Sequence, residues 1–114
     1  PRKLIAGVEG VEIVEMEHSG EDAMCCGVSS MMSCNENARA LRVTRMEEIR
    51  ATGADTMLTS CPKCVSHFEC LKFEGDERYA DIEILDVVSF LARQVEAKKA
   101  KAAAAVQPST GIEA

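Results

Sequence analysis

ADTMLTSCPKC, residues 54–64, is the stretch whose reading decides the fold. Residues 54–59 have the character of a short buried strand, and the run ends at Ser60-Cys61. Pro62 suits the first position of a helix, where its missing N–H costs no hydrogen bond. That helix is predicted to run through Val65, Phe68, Leu71 and Phe73 and to break at Gly75-Asp76. Cys61 then precedes the first helical turn and Cys64 lies in it. There the unsatisfied amide N–H groups and the positive end of the helix dipole favour thiolate over thiol.

The same alternation extends in both directions. Downstream, Asp81-Ile82-Glu83-Ile84-Leu85 reads as another short strand, and Val87, Val88, Leu91 and Val95 mark a last helix closing near Lys98, Lys99 and Lys101. Upstream, a long helix is predicted from Asn35, a good N-cap, to Thr52, with Gly53 stopping it. Ala38, Leu41, Met46 and Ile49 fall near one side of that helix. Arg39, Arg42, Arg45 and Arg50, with Glu47 and Glu48, are expected to form its solvated side. Residues 11–16 (VEIVEM) read as a first strand, preceded by a short helix from Pro1 to Gly7. Strand and helix therefore alternate three times, the pattern of an α/β fold with a small parallel sheet. Ligands collect at the carboxyl edge of such sheets. Cys61 follows a strand directly, and Cys25-Cys26 comes one polar loop after another. Residues 1–101 are expected to form the domain and residues 102–114 a disordered tail.

A chain of 114 residues with 46% apolar and 28% charged content has the composition of one compact domain. Its net charge of −6 argues against nucleic acid, whose phosphates are bound by clustered Lys and Arg. No apolar stretch approaches the roughly 20 residues of a membrane span. With no leader and with Pro1 in first place, the chain is expected to be a cytoplasmic piece of something longer.

Six cysteines admit either disulfides or metal. Disulfide scaffolds are loop-rich and small-cored, whereas regular elements fill this sequence, so reduced, metal-holding cysteines are favoured. Cys25, Cys26, Cys61 and Cys64 are the candidate ligands. Zinc takes four tetrahedral ligands, usually from Cys-x-x-Cys pairs. Adjacent cysteines in an extended segment point to opposite sides and more naturally reach two metal atoms of a larger cluster. Cys34 and Cys70 are expected to be buried structural thiols. His67, one turn after Cys64, is a packing or surface histidine or a hydrogen-bond partner for a cluster sulfur. His18, in its polar loop, is a weaker candidate. Lys63 is either solvated or a counter-charge to thiolates. Met24, Val28, Met31 and Met32 either pack beneath the loop or shield the site. The 61–64 quartet also looks like a thioredoxin dithiol. That reading leaves Cys25-Cys26 unexplained, and Pro1 and Pro108 are the only prolines besides Pro62.

The Cys25-Cys26-Gly27 triplet, 34 residues between Cys26 and Cys61, and Cys61-Pro62-Lys63-Cys64 together resemble the cysteine-rich CCG domain. That domain occurs in heterodisulfide reductase catalytic subunits and in related iron–sulfur oxidoreductases of glycolate, lactate and sulfur metabolism. The flanks of residues 1–96 resemble it as well, notably Gly53-Ala54-Asp55 before Cys61 and Asp81-Ile82 before the last helix. The resemblance implies that Cys25, Cys26, Cys61 and Cys64 hold a non-cubane [4Fe-4S] cluster. A further cysteine upstream is implied too, which makes this the C-terminal part of such a domain. It also implies electron transfer to a disulfide or heterodisulfide substrate, other subunits as partners, and a cytoplasmic place at the inner face of a membrane complex. Its alternative is a zinc-binding structural or docking module of a larger oxidoreductase of the glycolate or lactate oxidase or succinate dehydrogenase type.

Overall fold

The computed structural model describes residues 1–28 and 35–106. The helices are α1 (Arg2–Ala6), α2 (Glu36–Thr52), α3 (Pro62–Phe73) and α4 (Val87–Ala105), and the strands are β1 (Thr56–Thr59) and β2 (Glu83–Asp86). The two strands pair in parallel, with Thr56 opposite Glu83 and Thr59 opposite Asp86. The expected α/β fold with a small parallel sheet is the one observed.

Local chemistry sets most of the boundaries. The Asn35 side chain accepts the Ala38 N–H at the start of α2, and Gly53 ends that helix in the left-handed conformation at φ 73°. Pro62 opens α3 directly after Cys61. Asp86 caps α4 by accepting the Ser89 N–H, so β2 passes into α4 without a loop. The alternation of side chains along the paired strands divides the core. Met57 and Ile84 pack with Met46, Ile49, Phe68, Leu71, Tyr79 and Cys26. Leu58 and Leu85 turn the other way, towards Ile5, Val87 and Phe90. Helices α2 and α3 thus cover one face and α1 and α4 the other, which is how a parallel sheet avoids exposing either face.

Four expectations need correction. Residues 11–16 form no strand: no backbone hydrogen bond joins them to β1 among the described residues. A cleft of about 750 Å³ lies between them and β1, and a strand exists only where a neighbour can take its N–H and C=O groups. The salt bridge from Arg2 to Glu15 and the packing of Val11 and Met16 against the core hold this segment instead. Secondly, Arg42 and Arg45 are not on a solvated side; they are 0% and 6% exposed, while Leu41 is 36% exposed. Each guanidinium is buried with partners, Arg42 with Glu74 and the His67 carbonyl, Arg45 with Glu48 and the His18 carbonyl. Thirdly, the last strand is residues 83–86 rather than 81–85, and α4 continues through residues 102–105, which the expected tail included. Finally, Cys70 is half-buried rather than buried. Cys34, Met31, Met32 and the remainder of the tail, 107–114, lie outside the described residues. No described helix is long and apolar enough to cross a membrane.

Candidate metal centre

The turn at Gly27 and the start of α3 bring sulfur atoms from distant parts of the chain together. Cys26 Sγ lies 3.3 Å from Cys64 Sγ across 38 residues of sequence. Cys64 sits in the first turn of α3, where its N–H reaches back to the Cys61 carbonyl at 3.0 Å. Cys61 stands just before that turn, at the carboxyl edge of β1, close enough for the Cys64 backbone and thiol to influence its ionisation, although its side chain makes no capping hydrogen bond. Three of the four sequence-selected cysteines are therefore neighbours. The fourth, Cys25, is exposed, and its Sγ accepts the Gly27 N–H at 3.3 Å. Cys26 beside it is buried, the opposite facing expected of neighbours in extended chain.

The two cysteines of the quartet are electrostatically unlike, which corrects the expectation that the helix start favours thiolate at both. The Cys61 thiol is held below its usual range, first by the Cys64 backbone N–H, then by the Cys64 thiol, with Lys63 adding its own N–H and its positive charge. Cys64 is pushed up to about 12, first by burial and then by its bonds to Cys26 and Cys61. One thiol is primed to ionise, and its neighbour holds its proton until something replaces it.

These donors suit a soft metal. Two thiolates bound at 2.3 Å to one tetrahedral ion sit about 3.8 Å apart, so Cys26 and Cys64, at 3.3 Å, would separate by about half an ångström on binding one. Among the described residues no group of three or more His, Cys, Asp or Glu side chains is placed to hold an ion as it stands.

The surroundings of the site are built around Gly27. Its φ is 91°, and a Cβ there would lie 2.8 Å from the Ala38 carbonyl oxygen and 3.1 Å from Leu41 Cβ. The close approach that this glycine permits is to α2. Gly27→Ala should therefore destabilise the metal-free chain by about 2 kcal/mol, combining left-handed backbone strain with the clash. Chemical denaturation would check this, and an unchanged midpoint would mean that the loop is not pinned to α2. His67 is half-buried, and its Nε2 has no hydrogen-bond partner among the described residues. Burial pushes its pKa down, Arg42 adds to this, and the backbone of Cys26 and Ala38 opposes it. His18 lies elsewhere, with its Nδ1 2.6 Å from Glu48. Val28 packs against the core beside Cys26, and Met24 is half-buried.

A small α/β unit with a CCG turn and a Cys-x-x-Cys helix start facing each other defines a class: the chain belongs to the CCG cysteine-rich domain family, whose model matches residues 1–69. The chain is similar to the probable iron-sulfur-binding oxidoreductase FadF of Bacillus subtilis (strain 168), at 31% identity over 102 residues, covering 83% of this chain and 14% of that one. It is also similar to one subunit of the fumarate reductase (CoM/CoB) of Methanothermobacter marburgensis, at 32% over 94 residues, covering 80% and 18%. A third relative is a subunit of the dihydromethanophenazine:CoB–CoM heterodisulfide reductase of Methanosarcina acetivorans, at 32% over 95 residues, covering 82% and 22%. The chain thus spans between 14 and 22% of the length of the curated relatives it matches. No solved structure matches it.

Proposed function

We propose that the chain is the cysteine-rich portion of an iron–sulfur oxidoreductase, with Cys25, Cys26, Cys61 and Cys64 holding a non-cubane [4Fe-4S] cluster. The observation that carries this reading is the 3.3 Å approach of Cys26 and Cys64 at the start of α3, directly after Cys61. The names of its relatives, iron-sulfur-binding oxidoreductase, fumarate reductase and heterodisulfide reductase, support it. Such a cluster supplies single electrons to an S–S bond, two electrons and two protons converting a disulfide or heterodisulfide into two thiols.

The protein's own groups prepare the site. The Cys61 thiol, held below its usual range and with Lys63 beside it as counter-charge, loses its proton more readily than Cys64. Cys64 must give up its proton on loading, so binding releases acid. The buried wall around Cys26, from Met46 to Phe68, keeps water from one side of the site. Electrons come from other subunits or domains of the complex, in the cytoplasm at the inner face of a membrane assembly.

One observation favours a second reading. The Cys26–Cys64 separation suits a single tetrahedral ion, so a zinc docking module is the rival. Iron, acid-labile sulfide and zinc analysis of anaerobically prepared protein separates the two. Iron and sulfide in near-equal amounts are expected; stoichiometric zinc without iron would replace the first reading with the second.

A further inference from the structure

We propose that His67 is a hydrogen-bond donor to the metal centre: its Nε2–H donates to a sulfur of the bound cluster and helps to set the potential at which that cluster accepts an electron. This role rests on the iron–sulfur reading proposed above and adds to it a residue outside the four cysteines.

His67 Nε2 is buried, and among the described residues it has no hydrogen-bond partner. A buried polar atom left in that condition is costly, and where a native fold keeps one it marks stored strain, a redox or catalytic role, or a ligand that supplies the missing partner. The other histidine offers a contrast. His18 is already engaged, with its Nδ1 2.6 Å from Glu48.

The position of His67 selects the ligand. It lies on α3 three residues after Cys64, and side chains so spaced are neighbours on one helix face. Long side chains on a helix lean back over the turn before their own Cα, and for His67 that turn carries Cys64. The backbones of Cys26 and Ala38 lie close enough to the ring to bear on its protonation, and Cys26 Sγ is itself 3.3 Å from Cys64 Sγ. The ring is thus flanked by the helical turn that carries one candidate ligand and by the backbone of another. Its own backbone is tied down as well, since the His67 carbonyl accepts from Arg42 at 3.3 Å.

The chemistry of imidazole suits this task. A neutral ring can carry its proton on either nitrogen, and an acceptor that arrives at Nε2 selects the tautomer that places it there. Thiolate and inorganic sulfide are such acceptors. Adding an electron to the cluster increases the negative charge on its sulfurs, so an N–H aimed at one of them stabilises the reduced form more than the oxidised form and raises the potential. The buried wall from Met46 to Phe68 beside Cys26 keeps the local dielectric low, which strengthens the effect.

Redox titration of the anaerobically prepared, cluster-loaded protein tests this, with His67→Leu removing the donor at similar volume and His67→Gln keeping an N–H. Iron and sulfide contents are expected to match the wild type in both variants. At a fixed applied potential the ratio of reduced to oxidised cluster should fall about tenfold in His67→Leu, equivalent to about 59 mV for one electron, and His67→Gln should recover most of that loss. An unchanged potential in His67→Leu would overturn the proposal and leave Nε2 to a bound water. Equal shifts in the two variants would overturn it in favour of packing, and loss of iron from either would overturn it in favour of a ligand or folding role. A wild type without iron would sink the cluster reading itself and this role with it, whereas in every other outcome the wild type holds iron and only the donor is judged.

Discussion

Arg42→Ala should lower the stability of the metal-free chain by about 3 kcal/mol. Arg42 is fully buried and is among the largest such side chains in the protein. Its guanidinium donates to the His67 carbonyl at 3.3 Å and to Glu74 at 2.8 Å, joining the middle of α2 to α3 and to the residue that ends it. Truncation removes the volume and the charge together, and it leaves the His67 carbonyl without this donor. Glu74 is partly solvated and keeps Arg39 at 3.1 Å, which holds the cost near the lower end for a broken buried pair. Arg42→Met, which keeps most of the volume and leaves no buried charge, should lose less than half as much. Urea unfolding with constant m-value would measure both. Equal losses in the two variants would mean that the ion pair and hydrogen bonds, which both variants remove, and not the packed volume, fix α3 against α2.

Arg42 also marks where reading from the sequence stops. Periodicity assigns every arginine of α2 to the wet side, because a charge in a helical pattern is counted as solvated. The partners that reverse this are Glu74, 32 residues away, and the carbonyl of His18, 27 residues away. Nothing local announces them. Boundaries were legible where one residue sets them, as Asn35, Gly53 and Pro62 do. Residues 11–16 were read as a strand from their own composition, but pairing depends on what lies alongside, and alongside is a cleft. The cysteine pairs stand out by their spacing, which is a chemical signature, and the structure brings Cys26 of one pair to 3.3 Å from Cys64 of the other. The contrast between Cys61 and Cys64 was not legible. It arises from burial and from who donates to whom, and both exist only once Cys26 has been folded over the start of α3.

Cys64→Ser should reduce bound iron by roughly tenfold or more while leaving the metal-free fold in place. Cys64 lies 3.3 Å from Cys26 across 38 residues of sequence and one helical turn from Cys61, so its loss separates the two halves of the ligand set. Serine is nearly the same size and can keep a hydrogen bond, which spares the packing. The pH dependence of the metal-free chain reports the same group through a different property. Folding raises the Cys64 pKa to about 12 from an unfolded value of about 8.5. Its contribution to stability is therefore complete below about pH 8.5 and is lost as pH climbs from there towards 12. Cys61, whose thiol is lowered by folding, works in the opposite sense, adding stability as pH rises and completing that gain by about pH 8.5. Wild-type metal-free protein should accordingly lose thermal stability between about pH 8.5 and 11, and Cys64→Ser should flatten that loss. Iron content, absorption spectrum and melting temperature on one pair of samples check both halves. Retained iron with an unchanged spectrum would remove Cys64 from the ligand set, even if the alkaline behaviour changed as expected.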